Sequence, residues 1–177
     1  LIEYKDTLKV LAGLGVIPRV FANQRPIYNH RLSIDDANER LQGFYFPYHD
    51  KLKSLIKQTE TSFNKVILLD CHSMPLSSVN LASKKDPVEV VLGDCFGRSC
   101  EHEIIVELKT LLTEVGFKVS INNPFSGGFI TKNYASPQNN INVVQIEILR
   151  SLYSHEKQQI KNSEFAKIQR RLIDVIE

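Results

Sequence analysis

Short apolar runs alternate along this chain with longer stretches in which apolar residues recur every three or four positions. The short runs are typical of buried β-strands and lie at residues 65–71, 88–92, 117–121, 129–131 and 141–149. The periodic stretches predict helices over residues 33–58 and 101–115, and a last helix that Asn162 or Ser163 would cap. Strands that alternate with helices in this way predict an α/β fold with a mixed, largely parallel sheet.

Proline and glycine mark two of the helix boundaries. Pro47 lies inside the first periodic stretch, and we expect it to kink this helix or to split it in two. Gly116 follows the second stretch directly and is expected to end it in the left-handed conformation that glycine adopts easily. Both residues agree with the element boundaries that the apolar pattern indicates.

The composition is that of an ordinary globular protein and argues against several classes of function. Of the 177 residues, 42% are apolar and 24% are charged, and we expect a single α/β domain over residues 1–177. Lys and Arg number 22 against 20 Asp and Glu, and no basic stretch is interleaved with aromatic residues. We therefore expect neither a nucleic acid nor a membrane as a partner.

The cysteines and the amino-terminal sequence indicate the cellular compartment and the extent of the chain. Cys71, Cys95 and Cys100 make an odd number of cysteines, which argues against a disulfide framework and favours a reducing, cytoplasmic setting. The sequence shows no signal-peptide pattern and no apolar run of membrane-spanning length. Because the only methionine is Met74, we expect the sequence to begin partway into a longer protein.

Polar side chains stand where the first apolar run ends. Residues 66–69 continue directly into Asp70, Cys71, His72 and Ser73, after which Pro75 stops the run. Ligands of open α/β sheets bind outside the carboxyl ends of the strands, so we expect Asp70, His72 and Ser73 to lie at such an end. Asp70 and His72 would share one face of the strand, whereas Cys71 would point to the other face, into the core, which disfavours a thiol nucleophile.

Glu147 is the second candidate, because it is the one charged residue within the apolar run 141–149. A buried carboxylate is costly unless it is paired, and desolvation raises its pKa towards the range of a general base. The alternative is a glutamate near a strand end that faces solvent. Together His72 and Glu147 suggest metal-assisted hydrolysis, with the imidazole on zinc and the glutamate beside a metal-bound water. Asp70 would either orient the imidazole or bind the metal itself.

Six groups of residues give the chain a family resemblance. They are Pro26-Ile27-Tyr28; Pro47-Tyr48-His49 with Leu52; Val66 to Ser73 with its Asp-x-His-Ser; Leu92-Gly93 with Gly97-x-Ser99-Cys100; Asn123-Pro124-Phe125-x-Gly127-Gly128-Phe129-Ile130-Thr131 with Tyr134 and Pro137; and Val144-Gln145-Ile146-Glu147. Singly these motifs are weak, but in this order they are specific. The chain resembles the N-formylglutamate amidohydrolases (N-formylglutamate deformylases) from about Ile17 to its carboxyl end.

The resemblance implies a fold and an activity. The family is similar in fold to the zinc carboxypeptidases, which implies a three-layer α/β/α arrangement with a mixed central sheet and one zinc ion at the carboxyl edge of that sheet. By the same resemblance His72 matches a metal ligand and Glu147 the catalytic glutamate. The implied reaction is hydrolysis of the formyl amide of N-formyl-L-glutamate to formate and L-glutamate. The expected partner is therefore a small N-acyl amino acid.

Some features of the family are absent from this sequence. The family has an earlier His-[Ser/Ala]-Gly segment with a following acidic residue, which resemble the first two metal ligands, and an Asp-x-Asn-Arg segment expected to handle substrate; none is present here. Ala135 also stands where the family usually has glycine. With only His72 of the expected ligands, the zinc ligand set of this chain would be incomplete. The alternatives are a zinc carboxypeptidase-like hydrolase of another N-acyl amino acid or peptide, and a non-catalytic remnant that acts as a binding module.

Arg98 is a candidate for binding the substrate. It lies in a glycine-flanked loop before the predicted helix at residues 101–115. A guanidinium group there could hold a substrate carboxylate with two of its nitrogens, helped by the backbone amides of the first helical turn. The alternative is a solvated loop arginine.

The remaining candidates have weaker signals. Asn123 and Thr131 could line a substrate pocket to which Gly127 and Gly128 allow close approach of the backbone, or they could belong to a structural turn. His49 follows the expected kink at the first helix. We interpret it as a residue that supports the metal ligands or packs in the core, and less readily as a ligand itself.

Overall fold

A computed structural model describes residues 8–21, 24–79 and 87–176 of the chain. Contacts between residues divide the chain into two compact units, Leu1–Leu52 and Lys53–Glu177. The expectation of a single domain over the whole chain stays a prediction.

The described residues form α-helices, β-strands and a few shorter turns. The helices are α1 Leu8–Leu11, α2 Ile34–Arg40, α3 Phe46–Phe63, α4 His102–Glu114, α5 Phe129–Tyr134 and α6 Phe165–Ile176. The strands are β1 Val20–Phe21, β2 Arg25–Pro26, β3 Val66–Met74, β4 Val90–Gly93, β5 Val119–Ile121, β6 Ile141–Leu149, β7 Ser154–His155 and β8 Ile160–Lys161. No helix in the described ranges is long and apolar enough to span a membrane.

The helical stretch that the apolar period predicted begins in the first unit and continues past Leu52 to the end of α3. Ser33 caps α2, because its hydroxyl accepts a hydrogen bond from the amide of Asp36 at 3.0 Å while the Asp36 carboxylate accepts one from the amide of Ser33. A π-helical turn, Leu41–Tyr45, separates α2 from α3. Pro47 lies just beyond this turn and has no N–H for the carbonyl of Gly43, four residues earlier. The expected interruption of the helix is therefore confirmed.

A four-stranded mixed sheet organises the second unit. The strand order is β3–β6–β4–β5, with β3 parallel to β6, β4 antiparallel to β6, and β5 parallel to β4. Parallel pairs outnumber the antiparallel pair, so the predicted mixed, largely parallel sheet is confirmed. The register of β3 with β6 runs from Val66 beside Ile141 to Met74 beside Leu149.

The two faces of this sheet bury different residues. Val90 and Leu92 of β4 belong to the larger apolar cluster, to which α4 and α6 contribute. Val91 packs in a second cluster with Met74 and Leu149. Because successive side chains of a strand point to opposite faces, these two clusters lie on opposite sides of the sheet.

Strand β3 is longer than the apolar run predicted. The run indicates an end at Cys71, whereas β3 continues to Met74 because β6 pairs with it over its whole length. Asp70, His72 and Ser73 therefore lie within β3, near its carboxyl end as expected. Cys71 is exposed, so the expectation that it points into the core is wrong. The side chains of Asp70 and His72 project from one face of the sheet.

The run 129–131 is helical, so the prediction of a strand there is wrong. Helix α5 begins directly after Gly128 and contacts β6. The hydroxyl of Thr131 donates to the carbonyl of Gly128 at 3.0 Å, a bond to the residue three positions earlier that suits a helical turn. The branched side chains of Ile130 and Thr131 favour a strand, but tertiary contacts outweigh this preference over so short a run.

Candidate active site

The register of β3 and β6 gathers four polar side chains on one face of the sheet. Asp70 lies beside Gln145, and His72 lies beside Glu147. Residues two positions apart along a strand share a face, so the two neighbouring pairs form one polar patch. Glu147 also lies beside Val91 of β4, which places the patch on the side of the sheet that carries the second apolar cluster.

His72 stands between the two carboxylates of this patch. Its Nε2 atom lies 3.0 Å from Asp70 Oδ1, and its Nδ1 atom lies 4.0 Å from Glu147 Oε1. The imidazole is 49% exposed, whereas the side chains of Asp70 and Glu147 are 14% and 9% exposed. The expected clustering of these residues is confirmed, while their catalytic roles stay predictions.

Asp70 fixes the orientation of the imidazole. When Nε2 carries the proton, it donates a hydrogen bond to the Asp70 carboxylate. The lone pair of Nδ1 then points towards Glu147. A nitrogen held in this way is available to a proton or a metal ion. The geometry supports the orienting role of Asp70 over its role as a ligand.

Glu147 is buried, which rules out the alternative of a solvent-facing strand-end glutamate. Burial raises the pKa of this carboxyl above its ordinary value, and the hydrogen bond from the Gln145 amide, followed by nearby His72, acts in the opposite direction. A carboxylate whose pKa is raised in this way accepts a proton more readily near neutral pH, as a general base must.

Gln145 is a member of the patch that the sequence analysis missed. The Nε2 atom of Gln145 donates to Glu147 Oε1 at 2.7 Å, and Gln145 as a whole is 6% exposed. Within the described residues, its Oε1 atom is buried without a hydrogen-bond partner. The signal was present in the sequence, because Gln145 precedes Glu147 by two positions on a strand and must share its face.

Three glycines pack a loop against this patch. A Cβ atom on Gly93 would lie 2.6 Å from the amide nitrogen of Gly127, and one on Gly128 would lie 3.3 Å from Gln145 Oε1. Gly127 has a φ of +119°, and a Cβ there would lie 2.6 Å from Thr131 Oγ1. Side chains at these positions would crowd their neighbours, while the close approach of the Gly127 and Gly128 backbone to a substrate stays a prediction.

A cleft of about 350 Å³ adjoins this loop. Its lining consists of Cys95, Arg98, Ser99, Thr131, Lys132 and Ala135. Arg98 and Thr131 therefore line one cleft, while their roles in substrate binding stay predictions. Asn123 is exposed and does not line this cleft, so its role in binding stays a prediction.

The turn that carries Arg98 is held by Asp94 and Asn122. The Asn122 side-chain amide donates to Asp94 Oδ1 at 2.6 Å, and its carbonyl oxygen accepts from the Asp94 backbone amide at 3.1 Å. Arg98 donates from its own Nε atom to the carbonyl of Cys95 at 3.0 Å. These bonds anchor the base of an exposed guanidinium group.

His49 lies in the first unit, on α3, and is buried. Its ring packs edge-on against Tyr45 and Tyr48, with centroid distances of 4.3 and 5.1 Å. These contacts support the packing interpretation, while its role behind a metal site stays a prediction.

The number of suitable side-chain ligands decides whether the described residues could form a complete zinc site. Among the described residues, no group of three or more His, Cys, Asp or Glu side chains could hold a metal ion. Protein zinc sites use three or four such ligands. The described part of the chain therefore does not fit a complete zinc site.

Comparisons with known proteins establish the family. The family model for N-formylglutamate amidohydrolase matches residues 3–154, so the chain belongs to the N-formylglutamate amidohydrolase family. The N-formylglutamate deformylase of Pseudomonas putida is 28% identical over 148 residues, which cover 82% of this chain and 55% of the relative. That of Pseudomonas aeruginosa is 26% identical over 149 residues, which cover 82% of this chain and 56% of the relative.

Solved structures agree with this assignment. An N-formylglutamate amidohydrolase from Ralstonia eutropha JMP134 superposes with a TM-score of 0.85 at 31% identity over 96% of this chain and 61% of that chain. A gene product of Agrobacterium tumefaciens superposes with a TM-score of 0.61 at 18% identity over 90% of this chain and 60% of that one, which shows a shared fold. The predicted α/β fold with a mixed central sheet is confirmed. The chain spans 55% to 61% of the length of the two deformylases and the Ralstonia enzyme.

Proposed function

We propose that this chain carries the catalytic glutamate and part of the substrate site of an amidohydrolase that converts N-formyl-L-glutamate and water to formate and L-glutamate. The family and the names of its deformylase relatives support this reaction. The observation that carries the proposal is the buried Glu147 carboxylate, 4.0 Å from a histidine that Asp70 holds in place.

Glu147 is the general base of the proposed reaction. It takes a proton from the water molecule whose oxygen attacks the formyl carbon. When the bond between this carbon and the amide nitrogen breaks, Glu147 returns the proton to the departing amine. Burial raises the pKa of Glu147, which favours both transfers near neutral pH. The products are formate and the free amino group of glutamate.

Zinc enters this proposal only through His72. When bound, zinc would lower the pKa of a coordinated water and polarise the formyl carbonyl. His72 would supply one ligand through the ring nitrogen that Asp70 leaves available. Because the described residues do not complete a zinc site, the proton transfers above are assigned to Glu147 alone.

Substrate binding is proposed for the cleft beside the glycine loop. Arg98 would bind a carboxylate of the substrate through its exposed guanidinium group. Thr131 is fully buried and its hydroxyl already donates to Gly128, so its contribution is to shape the wall. Asn123 is proposed to contact the substrate from the neighbouring loop.

Release of L-glutamate by the purified protein tests the function, because this product is common to the formyl substrate, which also gives formate, and the acetyl substrate, which also gives acetate. The 177-residue protein is incubated with N-formyl-L-glutamate and, separately, with N-acetyl-L-glutamate, with and without added zinc. We expect release from the formyl substrate alone and its loss in Glu147→Gln. Release from the acetyl substrate would favour the hydrolase of another N-acyl amino acid. The absence of release under every condition would favour the non-catalytic binding module.

A further inference from the structure

The cleft beside α5 has an unusual charge balance. Of its lining residues, Arg98 and Lys132 are cationic and none is acidic. Its buried hydroxyls are engaged within the fold, since Ser99 donates to the carbonyl of Val143 at 2.8 Å and Thr131 donates to that of Gly128. The polar groups that the cleft can offer a ligand are therefore its two cations.

Neither cation is neutralised by the part of the chain that the structure describes. Within residues 8–21, 24–79 and 87–176, neither Arg98 nor Lys132 forms an ion pair with a carboxylate. Arg98 is anchored through Nε to the carbonyl of Cys95, which leaves its terminal nitrogens for a ligand. Of the two acids nearest to Arg98 in the sequence, Glu101 pairs with Lys65 at 2.9 Å, and Asp94 is buried and bonded to Asn122. A site with this balance selects an anion.

The glycine loop connects the cleft with the polar patch that contains Glu147. Cys95 Sγ is 2.8 Å from the Cβ position of Gly127, and Gln145 Oε1 is 3.3 Å from that of Gly128. Consecutive Cα atoms lie ~3.8 Å apart, so this wall of the cleft and the Gln145 amide are at most about 13 Å apart. Arg98 and Lys132 are long side chains that can extend over part of this distance. An amino acid with its acyl amide at Glu147 can thus direct its side chain towards them.

We propose that Lys132 joins Arg98 in a subsite for the side-chain carboxylate of an N-acyl dicarboxylic amino acid, and that this pair selects glutamate-type substrates over neutral ones. The proposal rests on the proposed function, since it assumes that the acyl amide binds at Glu147. Lys132 lies on α5 and lines the cleft. It is a residue that determines specificity and takes no part in the proton transfers.

The expected effect follows from hydrogen bonds to charged groups. Such bonds contribute more than neutral ones, but solvent screening reduces their strength at an exposed site. We therefore expect the wild-type protein to bind a carboxylate about 10-fold more tightly than the corresponding neutral amide, with Lys132 responsible for much of the difference.

Titration of the isotope-labelled protein, followed by nuclear magnetic resonance, tests the proposal without requiring turnover. The two ligands are N-formyl-L-glutamate and N-formyl-L-glutamine, which have nearly the same shape but differ in the side-chain charge. We expect the roughly 10-fold preference of the wild type to fall to about 2-fold in Lys132→Met and to persist in Lys132→Arg. The matched control is Lys109→Met, an exposed lysine on α4, in which the preference should be unchanged.

Each outcome of this titration decides the proposal. Equal affinity of the wild type for both ligands, binding of neither ligand, or an unchanged preference in Lys132→Met overturns it. Lys132→Glu gives a second check, because reversal of the charge should invert the preference, and the spectra report whether each variant is folded. A preference that depends on Lys132 in a protein that releases no formate would support the subsite and overturn only the catalytic function.

Discussion

The side-chain amide of Gln145 donates to the carboxylate of Glu147 at 2.7 Å, two positions away on the same strand. Burial and this hydrogen bond act on Glu147 in opposite directions, and burial has the larger effect on its pKa. The same Glu147 oxygen lies 4.0 Å from His72 Nδ1. The carboxylate is therefore held in one orientation while it keeps the proton affinity that a general base requires.

Replacement of Glu147 by glutamine should abolish most of the turnover. The change keeps the size of the side chain and removes the base, and loss of a general base typically costs about 10²–10⁴ in rate. Formate release under saturating substrate measures the effect. Metal content should be unaltered, because Glu147 is not a ligand in this assignment. Near-normal turnover would make Glu147 structural and point to Asp70 as the base, and loss of metal would make Glu147 a ligand.

The raised pKa of Glu147 predicts a pH-dependent difference in stability between the wild type and Glu147→Gln. A carboxyl whose pKa is higher in the folded than in the unfolded protein favours folding when it is protonated, and this contribution is lost as the pH rises through the folded-state pKa. Glutamine does not titrate, so the free energy of unfolding of the variant does not include this pH-dependent loss. The unfolding midpoint of the variant should therefore rise relative to that of the wild type as the pH increases above the ordinary glutamate pKa of ~4.3. A midpoint difference that does not vary with pH would show that burial leaves the Glu147 pKa unchanged.

Arg98→Lys should raise KM much more than it lowers kcat. Lysine keeps the charge but cannot bind a carboxylate with two nitrogens, and the lost contact weakens binding of the substrate in the ground state as well as in the transition state. Steady-state kinetics with N-formyl-L-glutamate measure both constants, and Arg170→Lys on the exposed side of α6 is the matched control. If Arg98→Lys has the same KM and kcat as the control, Arg98 does not bind the substrate and is a solvated loop arginine.

This 177-residue polypeptide should bind zinc weakly. The described residues offer one imidazole at the site and no group of three suitable ligands, whereas protein zinc sites use three or four. Competition with a chromogenic chelator should give micromolar or weaker binding, which His72→Ala should reduce further. One tightly held zinc ion per chain would contradict this, and its remaining ligands would then have to be sought first at Asp70 and His49.

Gly127→Ala should destabilise the second unit more than Gly97→Ala does. Both glycines have positive φ values, of +119° and +77°, but the new Cβ would meet Thr131 Oγ1 at 2.6 Å at position 127 and no atom within 4 Å at position 97. We expect a cost of about 1 kcal/mol at Gly97 from the backbone alone and about 2–4 kcal/mol at Gly127. Urea unfolding followed by circular dichroism measures both. Equal costs would show that the loop moves aside without loss.

The apolar pattern was a reliable guide wherever an element was long. The run 141–149 is strand β6 with the predicted bounds, and Gly116 follows helix α4 with a φ of +91°. It failed over residues 129–131, where a short branched run is helical. Local preference decides a long periodic segment, but contacts from elsewhere in the chain decide a short one.

The sequence by itself determined the family, the α/β class and the candidates His72 and Glu147, because these depend on residue types, order and period. Only the tertiary structure decided that β6 lies beside β3 in the register that brings Glu147 to His72. The same holds for the placement of Lys132, on α5, in the cleft that Arg98 also lines. Strand order and register arise from packing between segments far apart in the chain, and no local pattern encodes which segments will meet.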